Sequence, residues 1–233
     1  MSRRDELAAN LAAVEQRITA ACAAAGRRRD EVTLIAITKT WPVEDVALLR
    51  DLGVRDFGEN RDQEAAPKAR RLAPAVTDVR WHFVGTVQTN KARSVASYAD
   101  VVHSVDRLSL VHALSAGAVR ADRVVDALVQ VSLDGAEGRG GAVPEDVPGI
   151  ADAVAAAAGL RLAGVMAVAP LGADPARAFA RLAELAAALR ESHPDATTIS
   201  AGMSADLESA VAAGANALRV GTALLGHRAA PTR

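Results

Sequence analysis

An α/β fold, a single (β/α)8 TIM barrel with an extra N-terminal helix, follows from three features of the sequence. Eight short β-rich runs alternate with helical patterns, which implies parallel strands joined by helical crossovers. Eight is the number of strands that closes such a barrel, and 233 residues lie within the usual length of the fold. No GxGxxG stretch follows the first run, which argues against an open, doubly wound sheet. No linker, charge block or low-complexity segment divides the chain, so residues 1–233 are expected to form one domain.

The first element is a helix over 2–25. Leu7, Leu11, Val14 and Ile18 recur at spacings of four, three and four, which is one helical face, and Ser2 with Asp5 can form its opening cap. The strands follow at VTLIAIT (32–38), VRDFGE (54–59), RWHFVG (80–85), DVVHSV (100–105), DALVQVSL (126–133), RLAGVMAVA (161–169), ATTISAG (196–202) and NALRVG (216–221). Between them lie helical patterns near 43–52, 61–72, 88–97, 107–121, 144–158, 174–191 and 204–213. The clearest is 174–191. Asp174 can cap it, Pro175 suits its first position, and Phe179, Leu182, Leu185 and Leu189 line one face.

Half of the residues are apolar and only 3% are aromatic, so the core must be built from Ala, Val, Leu and Ile. A net charge of −1 gives no broad attraction to nucleic acid or an anionic membrane. Arg27, Arg28 and Arg29 are followed at once by Asp30 and Glu31 and read as a solvated turn. The single cysteine, Cys22, excludes an intrachain disulfide and a cysteine-rich metal site, and its alanine-rich helical setting gives it a packing role. The five histidines form no HxH, HxxH or HExxH pattern, so no metal site is expected. His82, inside a strand, reads as a satisfied core histidine. No apolar run has the length of a membrane span, and MSRRDELAAN lacks the hydrophobic centre of a signal peptide. The cytoplasm is the expected location.

In barrels of this kind chemistry gathers at the C-terminal ends of the strands. The first such end carries Lys39, in IAITKTWP, where a buried run meets a residue rarely buried without a partner. The second, FGEN, carries Asn60. The seventh and eighth, ISAGMS and RVGTALLG, carry Gly202 and Ser204, then Gly221 and Thr222, with Arg219 adding a permanent positive charge. Barrels often bind phosphate with these last two loops, and glycine lets backbone N–H groups approach an anion closely. A plainer reading has Gly221 allowing tight packing and Ser204 capping the next helix. A lysine and a phosphate pocket at one mouth suit pyridoxal 5′-phosphate (PLP), whose aldehyde forms an imine with lysine. DGAEGRGG (134–141) could cradle an anion but reads first as a loop.

With these residues assembled, the chain resembles the pyridoxal phosphate homeostasis protein family. The resemblance runs from about Leu7 to Arg228 and rests on ITKTWP, FGENRDQE, WHFVGTVQTNK, HSVDR, GVMAVAP and ISAGMSADLESAVAAGANALRVGTALLG, in that order. It implies a barrel of the PLP fold-type III kind, related to the N-terminal domain of alanine racemase. It implies that Lys39 carries the cofactor covalently, that Ser200, Gly202, Ser204, Gly221 and Thr222 belong to the phosphate-side loops, and that Asn60 lies near the ring. Arg219 matches an arginine near the pyridine nitrogen or the phosphate. Arg61 departs from the aromatic common after FGEN, and Thr38 stands where many members have serine.

The function this implies is intracellular PLP homeostasis: a carrier that holds a reactive aldehyde on Lys39 and passes it to an acceptor amine, without robust catalysis. The expected partners are PLP and PLP-requiring apoenzymes, with no nucleic acid, no membrane and a monomeric chain. The rival reading is a PLP-dependent amino-acid racemase. Racemisation by two bases needs an acid on each face of the cofactor. The only tyrosine, Tyr98, lies in the stretch after the third strand, away from the expected mouth.

Overall fold

The structure is a computed structural model and describes residues 1–73, 78–135 and 140–226. Among these residues eight parallel strands close into a barrel in sequence order. They are β1 (Thr33–Ile37), β2 (Asp56–Glu59), β3 (Arg80–Phe83), β4 (Val101–Val105), β5 (Val125–Gln130), β6 (Leu160–Met166), β7 (Thr198–Ser200) and β8 (Ala217–Val220). Closure comes from β1 pairing β8, with Ile35 opposite Arg219. The strands are shorter than the sequence patterns by a residue or more at most ends. The excess belongs to the loops at both ends of the barrel.

The helices are α1 (Arg3–Ala24), α2 (Val43–Asp51), α3 (Asp62–Leu72), α4 (Ala92–Ala96), α5 (Leu108–Arg120), α6 (Val147–Ala156), α7 (Pro175–Ser192), α8 (Leu207–Ala212) and α9 (Thr222–Leu225). The two best-marked starts form as their sequences specify. Ser2 and Asp5 make a reciprocal capping box, and the Asp174 side chain accepts the Ala176 N–H at 3.0 Å. The patterns at 88–97 and 144–158 each open instead with a 3-10 turn, Thr89–Lys91 and Pro144–Asp146. The short α9 lies beyond the last predicted strand.

Alternation along the strands separates two cores. Outward residues such as Leu34, Ala36, Phe57 and Leu218 join the layer under the helices, with Leu7, Val14 and Ile18 of α1. Inward residues fill the barrel in tiers, and Ile35 and Ile37 of β1 form a small separate cluster with Ala217 of β8. Cys22 is buried and packs in the outer layer, as its setting predicts. The arginine cluster corrects the solvated-turn reading. Only Arg28 behaves that way, paired with Asp30 at the surface. Arg27 donates to the Val211 and Ala215 carbonyls at 3.0 and 2.7 Å, and Arg29 pairs with Glu15 at 2.8 Å. Both tie the turn to helices on either side.

Candidate functional site

A cavity of about 590 Å³ opens at the C-terminal mouth of the barrel. Its walls carry Lys39, Asn60, Ser204, Arg219, Gly221 and Thr222, six of the eight residues singled out from the sequence. Lys39 is there because of β1. Thr33, Ile35 and Ile37 face the barrel interior, and Lys39 continues that series two residues later, past the end of the strand. It is exposed, and among the described residues its ammonium has no hydrogen bond or ion pair.

The loop behind Lys39 is held rigidly. Lys68 of α3 is buried and donates to the Thr38 carbonyl at 2.8 Å and to Glu59 Oε1 at 2.6 Å, and the Thr38 hydroxyl donates to the same oxygen at 2.6 Å. Thr40 sits at φ 68°, a left-handed conformation that a β-branched residue rarely adopts. Its N–H donates to Glu64 Oε2 at 2.8 Å. Burial holds the Glu59 carboxyl above its ordinary value, with the Lys68 and Thr38 hydrogen bonds acting in the other direction. Glu59 Oε2 and Asn60 Oδ1 are buried without a hydrogen-bond partner, and an unmet acceptor of this kind costs stability unless something supplies a donor.

On the neighbouring wall, Arg219 of β8, the strand next to β1, is 5% exposed. It donates to Ser200 Oγ at 2.6 Å and to the Ala167 carbonyl at 2.8 Å. Burial lowers its guanidinium to about 10, with Asp206 acting in the other direction, so it stays protonated at neutral pH. Ser204 Oγ accepts the Ala223 N–H at 3.2 Å. Ser204 therefore ties the loop after β7 to α9 and does not cap α8, whose first turn is preceded by Asp206.

Ser200 and Gly202 are not on the cavity wall. Ser200 is fully buried behind Arg219. Gly202 has φ 87°, and a Cβ there would meet the Ala210 Cβ at 2.6 Å, so its glycine serves close packing of the loop on α8. Gly221 is different. A Cβ there would meet only Ile37, at an ordinary 3.4 Å, and the residue borders the cavity. The remaining wall includes Val84, Thr86, Gln130, Met166 and Met203, which lie in the quoted stretches but are not singled out there as site residues. The nearest sequence signal for the support behind Lys39 is Glu59, adjacent to Asn60 in FGEN; Lys68 had none. In the glycine-bearing stretch, residues 136–139 lie outside the described residues, as do His227 and Arg228.

His82 is satisfied, as predicted, but it has unusual company. Its Nδ1 lies 2.9 Å from His103 Nε2 and its Nε2 lies 2.8 Å from Asp56 Oδ1, while His103 Nδ1 lies 2.9 Å from Ser200 Oγ. Among the described residues no three His, Cys, Asp or Glu side chains come together in a way that could hold a metal ion, and no helix is long and apolar enough to cross a membrane.

Residues 7–229 match the family described as alanine racemase, N-terminal domain. The pyridoxal phosphate homeostasis protein of Mycobacterium bovis (strain ATCC BAA-935 / AF2122/97) is 45% identical over 244 residues, covering 97% of this chain and 94% of that protein. The protein of the same name from Escherichia coli (strain K12) is 36% identical, covering 96% and 97%. The structure of PipY of Synechococcus elongatus PCC7942 with PLP bound superposes with a TM-score of 0.82 at 33% identity, covering 94% of this chain and 100% of that one.

Proposed function

The chain belongs to the pyridoxal phosphate homeostasis protein family, within the alanine racemase N-terminal domain group, and from that membership and the mouth geometry we propose that it binds PLP and acts in PLP homeostasis. The residues present fit the group. The cavity lies in the range of small-molecule pockets and is walled by polar and apolar side chains in about equal measure. Among the described residues, Lys39 offers an amine without an internal partner, Arg219 a buried cation, and Asn60 Oδ1 an acceptor that lacks a donor. These are the features a flat, anionic, hydroxyl-bearing aldehyde requires.

In this reading Lys39 is the point of attachment. Ser204, Gly221 and Thr222 border the phosphate end, Asn60 takes a hydrogen bond from the ring, and Arg219 faces it with a fixed positive charge. Ser200 and Gly202 support those groups from behind without touching the ligand. When bound, PLP supplies an aldehyde that condenses reversibly with a primary amine. The chain's part is to hold that aldehyde at an open mouth where another amine can claim it, such as one presented by a PLP-requiring apoenzyme.

The carrier reading over the racemase reading rests on one observation. Among the described residues lining the cavity, only Lys39 and Arg219 can ionise. An amine that also carries the cofactor and a guanidinium that stays protonated leave no second base. Tyr98 is half-buried near Asp62 and does not line the cavity. The test is a PLP titration followed by visible absorbance, then borohydride reduction and peptide mapping. The expected result is a new visible band and one adduct, on Lys39. No band, or an adduct mainly on Lys68 or Lys91, would remove the assignment.

A further inference from the structure

The interior of the barrel holds a continuous polar path that the cofactor reading does not use. It starts at Asp56, the first residue of β2, at the floor of the barrel. It passes through His82 of β3, His103 of β4 and Ser200 of β7, and ends on Arg219 of β8 at the mouth. Every link measures between 2.6 and 2.9 Å. His82 and His103 also border a separate cavity of about 140 Å³ at the floor, with Arg80 and Asp126, so the path joins two chambers at opposite ends of the molecule.

With both rings neutral, the aspartate end fixes the direction of each bond as far as Ser200. An ionised carboxylate only accepts, so His82 carries its proton on Nε2 and donates to Asp56. His82 Nδ1 is then an acceptor, so His103 carries its proton on Nε2 and donates to His82. His103 Nδ1 is therefore an acceptor too, and the Ser200 hydroxyl must donate to it. The hydroxyl's lone pairs are left for Arg219, which can only donate. A hydroxyl oxygen has two lone pairs, so accepting from Arg219 is compatible with the direction that the aspartate end imposes, and no link conflicts. Burial, together with His82, Arg219 and Arg80 around it, holds His103 well below its ordinary value, in keeping with a neutral His103 ring.

We propose that Asp56, His82 and His103 are positioning residues that keep the Ser200 hydroxyl turned as an acceptor toward Arg219 and so couple the floor of the barrel to the cofactor mouth. The coupling works through tautomers. A proton taken up on His82 would make its Nδ1 a donor, turn the His103 ring to its Nδ1–H form, and deprive the Ser200 hydroxyl of its acceptor. The floor chamber is where such a change can enter, and Glu31, Arg80 and Asp126 are the charged groups that face the histidines there. This rests on the proposed function only in taking Arg219 to face the ligand; the tautomers themselves are a property of the ligand-free chain.

The test is nitrogen NMR of protein carrying 15N-labelled histidine, recorded without and with PLP, with loading followed in the same tubes by absorbance. In the ligand-free wild type, both His82 and His103 are expected as neutral Nε2–H tautomers. Asp56→Asn, which removes the obligate acceptor without changing shape, should lose the single-tautomer signature at His82. Loading with PLP should move the His103 signals in the wild type. Circular dichroism checks that the variant is folded; should it not fold, the wild-type tautomers and their response to loading still decide. An Nδ1–H tautomer or a doubly protonated ring at neutral pH in the ligand-free protein would overturn the proposal. So would histidine signals that ignore a loading confirmed by absorbance. If no band appears with PLP, the cofactor reading fails, and the ligand-free tautomers still decide whether the chain of bonds runs as described.

Discussion

Protonating His103 would place a second cation one hydroxyl away from Arg219, in the buried interior of the barrel. Its pKa is held well below the unfolded value of 6.5, first by burial and then by His82, Arg219 and Arg80. The sign for stability follows. Below about pH 6.5 the unfolded chain binds a proton at this position and the folded chain does not, so stability falls as pH drops. A single histidine of this kind contributes a slope of about 1.4 kcal/mol per pH unit. Denaturant unfolding at pH 7.5 and 5.5 should therefore show a smaller loss in His103→Gln than in wild type. Equal losses would mean that His103 titrates normally. At the same scale, Gly202→Ala should destabilise, because the new Cβ would stand 2.6 Å from that of Ala210 at a φ of 87°. Overpacking of this sort costs about 1–3 kcal/mol, whereas Gly221→Ala should cost less in stability and show its effect in ligand affinity.

At the scale of elements, α3 is the support for the attachment point. Its Lys68 and Glu64 grip the residues on either side of Lys39. Lys68→Met leaves Glu59 buried with no counter-charge, and breaking a buried pair from one side costs about 3–5 kcal/mol. Adding Glu59→Gln should recover much of that loss; a double variant no more stable than the single one would show that the pair matters only through its contact with Thr38. The short α9 is the second support. Ser204→Ala and Thr222→Ala should each weaken PLP more than pyridoxal, by about 1.5–3 kcal/mol for a lost charge-assisted hydrogen bond. Equal weakening of both ligands would put the phosphate elsewhere. Ser204→Ala should also loosen α9, since its hydroxyl accepts the Ala223 N–H. These elements explain what the sequence could disclose. Lys39, Asn60 and Arg219 were legible because alternation along a strand and the mouth rule place them without any knowledge of neighbours. Lys68 was not, because a helical lysine among Arg70 and Arg71 reads as surface until the packing of α3 on β2, beside the loop after β1, is known. Nor was the Ser204 tie, since α9 follows the last strand and is one turn long. The path from Asp56 to Arg219 joins five different strands, and only register and closure bring them together.

For the whole molecule, the division between carrier and enzyme comes down to how many proton-transfer groups the barrel sets around its mouth. The wall residues that can ionise are Lys39 and Arg219. Burial lowers the guanidinium to about 10, which still leaves it protonated at pH 7 and unable to accept a proton. If it faces the pyridine nitrogen, its charge also disfavours a second positive charge there, and a neutral ring is a weaker electron sink. Both effects act against removal of an α-proton from a bound amino acid. The chain at saturating PLP, incubated with alanine in deuterated water, should therefore exchange the α-proton no faster than the same concentration of free PLP. Arg219→Glu, provided absorbance shows it loaded, should raise that exchange by favouring a protonated ring, yet stay far from an efficient racemase because the second base is still missing. Exchange by the wild type at an enzyme-like rate would overturn the carrier reading and point to a base outside the described residues. An unchanged slow rate in the loaded variant would instead move Arg219 from the ring nitrogen to the phosphate, and leave the lack of a second base among the described wall residues as the remaining argument for the carrier reading.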